Sequence, residues 1–204
     1  MVITNVEPTA KIKYKIYIEE QFAFVLYKGE LSRYHIAVGK ELEESVFYKI
    51  KNEIVLKRAK LRAMHLLESM DRTEVQLRTK LKQNLYTEDI IDQVIVYVRG
   101  FGYIGDLEYA KRYIIGKQKS KSKKEIYAGL CQKGVSKEEI CIALEECFNN
   151  FDEKETIMEL VRKRRYNAET ATEIEKQKIC AFLMRKGFLY EDIRQVIHVS
   201  ATSA

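Results

Sequence analysis

The stretch KKEIYAGLCQKGVSKEEI, residues 123–140, reads as two amphipathic helices and the turn between them. Ser122 stands just before it and Glu125 three residues later, the spacing of a helix-opening capping box. Ile126 and Leu130 are four apart and share one helix face. Gly134 falls where a helix ends on a left-handed residue. Ser136 with Glu139 then signals the start of the next helix, whose apolar stripe begins at Ile140.

The same template occurs three times. Leu81, Leu130 and Leu183 align, 49 and then 53 residues apart. Four positions earlier stand Leu77, Ile126 and Ile179; five later stand Tyr86, Val135 and Phe188. Ten later stand Ile91, Ile140 and Ile193, followed by the pairs Val94/Ile95, Ala143/Leu144 and Val196/Ile197. A fixed apolar template at this period marks a tandem helical array whose units bury their faces against one another. Thr73 with Gln76 repeats the opening cap of Ser122 with Glu125; Thr172 with Glu175 comes three residues earlier in its copy. Gly187 repeats Gly134, but Leu85 takes that place in the first copy, so that turn must be made differently. A further helix precedes each pair, over 55–69, 106–116 and roughly 152–166. In the first, Val55, Ala59, Ala63, Leu66 and Leu67 share a face.

Upstream the period changes to two. In KIKYKIYIEEQFAFVLYK (11–28), Ile12, Tyr14, Ile16 and Ile18 alternate with polar residues; Glu19-Glu20-Gln21 interrupts, and Phe22, Phe24 and Leu26 alternate again. That pattern is a β-hairpin, part of a two- or three-stranded sheet that needs a helix to pack on. Residues 30–52 read as short helices around a turn at Gly39-Lys40. The expected fold is therefore mainly α, with three three-helix repeats over 55–104, 105–150 and 151–204 after an N-terminal hairpin and short helices over 1–54.

Composition narrows the function classes. One proline in 204 residues suits helix, and 46% hydrophobic with 32% charged residues suits a soluble globular chain. The net charge of +6 resides wholly beyond residue 54 and suits an anionic partner. Neither an N-terminal apolar leader nor an eighteen-residue apolar span is visible, which points to a cytoplasmic protein. Cys131, Cys141, Cys147 and Cys180 lack a C-x-x-C pair and read as reduced thiols packed in helices. His35, His65 and His198 stand apart from other ligating residues, so no metal or cofactor is expected. GFGYIG (100–105) follows a helix and lacks the Lys-Ser/Thr of a phosphate loop; it reads as a helix end and inter-repeat turn. Glu138-Glu139 and Glu145-Glu146 read as helix-start and exposed acids. With no catalytic set in view, an enzyme is not expected.

LLESMDRTEVQLRTKL (66–81), VRGFGYIGDLEYAKRYI (98–114) and KKEIYAGLCQKGVSKEEI (123–140) resemble the signature blocks of the RecX family of regulators of the RecA recombinase. The resemblance covers about residues 55–198, and the hairpin looks like the extension of some members. It implies an elongated, curved array that binds RecA filaments on DNA and suppresses recombinase and co-protease activity within the SOS response. The family usually carries an arginine near the start of the second-repeat helix, where this chain has Lys123 and Lys124. Lysine keeps the charge and loses the bidentate fork.

Two basic clusters are candidates for the partner surface: Lys117, Lys119, Lys121, Lys123 and Lys124, and the run Arg162, Lys163, Arg164, Arg165. Each stands between the leading helix of its repeat and the template helix, and a regular array would turn both the same way. Lys123 and Lys124 fall in a helix first turn, where the dipole disfavours cations by a few tenths of a kcal/mol, which hints at an external anion. Tyr109, Tyr113, Tyr127 and Tyr166 lie nearby, with Tyr113 and Tyr127 expected in the core. The expectation is one basic face on a monomer, meeting single- or double-stranded DNA or the RecA filament; the alternative is a helical module that binds DNA without RecA.

Overall fold

The computed structural model describes residues 1–149 and 151–197, arranged as two compact units, Met1–Ile104 and Gly105 onward. His198 lies outside the described residues.

The first unit begins with an antiparallel sheet of three strands, β1 (Ile3–Ala10), β2 (Lys13–Ile18) and β3 (Gln21–Tyr27), in the order β1-β2-β3. Ile16, Ile18, Phe24 and Leu26 are buried on one face as their alternation requires, while Ile12 lies exposed in the β1–β2 turn. β1 is the strand the alternation misses. It holds the single proline, Pro8, which an edge strand tolerates because its outer amides face away from the ladder. The β2–β3 turn places Glu19 and Glu20 at φ +50° and +66°, the two left-handed positions of a tight hairpin turn. β1 and the residue before it brace that turn: the Glu20 amide donates to Thr4 Oγ1 at 2.9 Å and the Glu19 amide to the Val2 carbonyl at 3.0 Å.

Short helices α1 (Lys28–Arg33) and α2 (Glu44–Lys49) follow, and α2 continues without a break through a π-helical segment, Ile50–Leu56, into α3 (Lys57–Ser69). Ile50, Val55, Leu56, Ala59, Ala63 and Leu66 are buried along this run. They join the sheet, α4 (Glu74–Gln83) and α5 (Glu88–Gly100) in one hydrophobic core. Arg58 fastens sheet to helix: it donates to the Val25 carbonyl at 3.1 Å, pairs with Glu30, and lies 4.3 Å over the Tyr27 ring. The sheet, marginal alone, is thus an integral part of the first three-helix core.

The second unit holds α6 (Asp106–Lys117), α7 (Lys123–Gln132) and α8 (Lys137–Phe148) around one core, and α9 (Glu153–Lys163), α10 (Glu173–Arg185) and α11 (Tyr190–Ile197) around another. The leucine template is the core of each: Leu77, Leu81 and Ile91; Ile126, Leu130 and Ile140; Ile179, Leu183 and Ile193 are all buried. Burying one such side chain stabilises by about 1.5–3 kcal/mol.

The inter-helix turns share one hydrogen-bond pattern. Tyr86, Val135 and Phe188 donate five residues back, to Leu81, Leu130 and Leu183, and the residue before each is left-handed. Gly134 and Gly187 supply that conformation at φ +84° and +90°; Leu85 adopts it as a non-glycine at +62°. The first copy therefore makes the same turn as the others, not a different one, at a steric cost of about 1–2 kcal/mol.

Candidate nucleic-acid interface

The lysine segment spans the whole α6–α7 connection. Lys117 ends α6, Lys119 and Lys121 lie in the turn, and Lys123 and Lys124 open α7. The arginine run is differently placed. Arg162 and Lys163 end α9, Arg164 caps it and Arg165 is left-handed at φ +54°, so the run sits at a helix C-terminus, where cations are favourable. All of these are exposed except Lys121, which is half-buried.

Residues outside the clusters fix the lysine segment. Ser122 is fully buried; its hydroxyl accepts the Glu125 amide at 3.1 Å and donates to the Lys186 carbonyl at the end of α10. The Ser122–Glu125 box is therefore only half-formed: the Glu125 carboxylate pairs with Lys186 Nζ at 3.3 Å instead of returning to the cap amide. The boxes at Thr73–Gln76 and Thr172–Glu175 are reciprocal. The Lys123 amide donates to Glu153 Oε1 at 2.8 Å, and Thr156, also buried, donates to the Gln118 carbonyl at 2.6 Å. The anion at the α7 N-terminus is thus Glu153 of α9. The cation-unfavourable first turn is compensated within the chain and is no sign of an outside ligand. A single repeat's periodicity cannot reveal Gln118, Glu153, Thr156 or Lys186, because they act across repeats.

The clusters meet at one point. Lys119 and Lys163 line a hollow of about 370 Å³ together with Phe151, Glu155, Thr156 and Glu159. Other members diverge. The Lys123 ammonium lies 5.7 Å over the Phe148 ring, the Lys124 stem packs beside Gly187, and the Arg164 guanidinium stacks 3.6 Å over Phe182. Glu159 pairs with Arg162 at 2.7 Å and Lys163 at 3.6 Å, and the Arg162 hydrogen bond holds its carboxyl below the usual range. Among the described residues, Lys117, Lys119, Lys121, Lys124 and Arg165 form no ion pair. The nearby tyrosines belong to the cores: Tyr109 stacks on Tyr113, whose hydroxyl lies against Gly129, and burial pushes the phenols of Tyr127 and Tyr166 up.

The remaining motifs resolve simply. GFGYIG is the α5–α6 turn, with Gly102 left-handed and Gly105 capping α6. Glu138 and Glu139 lie in the first turn of α8, and Glu146 pairs with Lys111 at 2.7 Å. All four cysteines are free and helical, but Cys131 and Cys141 are exposed, not packed, because they fall on the outer faces of α7 and α8. Among the described residues, no group of three or more His, Cys, Asp or Glu is placed to hold a metal, and no helix is long and apolar enough to cross a membrane.

Sequence profiles of the RecX first and third three-helix domains match residues 59–97 and 152–197. The regulatory protein RecX of Caldanaerobacter subterraneus subsp. tengcongensis is 30% identical over 202 residues, 98% of this chain and 100% of that protein. This chain belongs to the RecX family. Regulatory protein RecX of Listeria monocytogenes serotype 4a is 27% identical over 92% of this chain and 70% of its own length. A crystal structure titled regulatory protein RecX superposes with a TM-score of 0.64 at 26% identity, over 97% of this chain and 98% of that one. RecX from Lactobacillus salivarius, at 24% identity, shares the fold with a TM-score of 0.60 over 70% and 94%. The mainly helical RecX architecture with an N-terminal three-stranded sheet follows, as does a RecX regulatory role.

Proposed function

We propose that the chain is a non-enzymatic regulator that binds RecA filaments on DNA and inhibits their recombinase, ATPase and co-protease activities. In this reading it acts as a cytoplasmic monomer within the SOS response. The partner surface is the lysine segment Lys117–Lys124 with the Arg162–Arg165 run, meeting the phosphates of single- or double-stranded DNA or acids on the filament. One observation carries this choice: four lysines without an ion pair, Lys117, Lys119, Lys121 and Lys124, stand on a segment anchored by Ser122, Gln118, Glu153 and Thr156, while its helix N-terminus has its own internal carboxylate. A presented cation that satisfies nothing inside the protein suits an external phosphate.

The test is RecA ATPase on single-stranded DNA with and without this protein; unchanged activity at stoichiometric amounts contradicts the proposal. A second reading, DNA binding without RecA, draws on the same unpaired cations. Binding to naked DNA that falls steeply with salt, together with unchanged RecA ATPase, would favour it.

A further inference from the structure

The turn that ends α5 carries an aromatic stack left outside the first core. The Gly102 amide donates to the Arg99 carbonyl and that of Tyr103 to Val98, both at 2.9 Å, with Gly102 at φ +70°. This left-handed residue reverses the chain so that Phe101 and Tyr103 lie face to face, centroids 5.9 Å apart and planes 20° from parallel. One helical turn earlier, Tyr97 meets Phe101 at 5.0 Å, and Lys60 Nζ stands 4.4 Å from the Tyr97 centroid. Tyr97 packs against the core, but Phe101 is 62% and Tyr103 49% exposed. Two large rings kept in water forgo burial that the fold uses elsewhere.

The arrangement selects among ligands. Phe101 and Tyr103 are near-parallel, Tyr97 is tilted 58° against Phe101, and the Lys60 ammonium lies over Tyr97 at the inner end of the group. A flat π-face near a cation suits an unpaired base and a phosphate of its strand. The 5.9 Å separation leaves no room for a base between the rings, so the base would lie on the outer face of the stack. We propose that Phe101 and Tyr103 form a stacking platform for an unpaired base of single-stranded nucleic acid, with Lys60, over the neighbouring Tyr97, meeting a phosphate further along the same strand. This deepens the DNA half of the function proposed above. It requires neither RecA nor the lysine segment.

The test is fluorescence-anisotropy titration of the full chain with a labelled oligothymidylate and with an abasic strand of equal length. Phe101→Ala and Tyr103→Ala are expected to weaken oligothymidylate binding about 5- to 150-fold, the loss of one base–aromatic stack, and to leave abasic binding unchanged. Phe101→Tyr retains affinity, and Phe101→Leu falls with the alanine variant because an aliphatic group offers no π-face. Lys60→Gln lowers the slope of log affinity against log salt by about 0.7, one single-strand phosphate. Equal loss on both strands, no loss on either, or wild-type binding by Phe101→Leu overturns the platform. If the stack variants bind normally while glutamine at the five lysines of 117–124 weakens binding, the platform fails and the basic segment stands. If the stack variants bind oligothymidylate normally but lose RecA inhibition, the rings meet protein and the proposal is wrong.

Discussion

Ser122→Ala should cost far more than an ordinary helix cap. The Ser122 hydroxyl accepts the Glu125 amide and donates to the Lys186 carbonyl, and the residue is fully buried. Loss of the cap bond costs about 1 kcal/mol. The Lys186 carbonyl, left without its partner, adds about 1–3 kcal/mol. The expected total is about 2–4 kcal/mol. Ser136→Ala is the control, because Ser136 caps α8 with a comparable 3.2 Å bond from Glu139 but is exposed, and its hydroxyl bonds to Glu139 instead of across to another three-helix element. It should cost about 1 kcal/mol. Both sites lie in the same unit, so urea unfolding of the full chain, followed by amide exchange over α7 and α10, compares them directly. Equal destabilisation would refute the claim that Ser122 joins the second and third three-helix elements.

Gly187→Ala should destabilise by about 2–5 kcal/mol in thermal or urea melts, combining a left-handed alanine with overpacking. A Cβ there would stand 2.9 Å from Lys124 Cβ and 3.2 Å from Ser122 Oγ, neither of which can swing aside freely. The Thr172 backbone amide and hydroxyl, each 2.9 Å from Glu175 Oε2, hold that carboxyl below its ordinary value of 4.5. A depressed folded value means the stabilisation is complete above 4.5 and is lost as pH falls through the lower folded value. Protection of the α10 first-turn amides should therefore fall in acid, and Glu175→Gln should remove that dependence.

Much of the architecture was legible because each repeat writes its core locally. The apolar template, Gly134 and Gly187 at the turns, and the caps Thr73, Ser122, Ser136 and Thr172 all emerge in place. What escaped depends on partners distant in sequence. β1 carries a proline and mixed polar residues and forms by pairing with β2. The π-helical segment Ile50–Leu56 shifts the apolar register of a helix that continues through it. Glu19 and Glu20 occupy positions where Asn-Gly is usual, which Thr4 and Val2 help to hold. The candidate interface was legible as charge and illegible as geometry. No periodicity reveals that Glu153 accepts the Lys123 amide or that Lys119 and Lys163 share a hollow.

The most direct measurement is the single-stranded-DNA-dependent ATPase of RecA at stoichiometric amounts of this protein, wild type against a variant with glutamine at Lys117, Lys119, Lys121, Lys123 and Lys124. These side chains are mostly exposed, so circular dichroism and the melting transition should be retained. Strong inhibition by the wild type and its loss in the folded variant is the predicted result. Equal inhibition by both would contradict the role given to the lysine segment, and no inhibition by the wild type would contradict regulation of RecA itself.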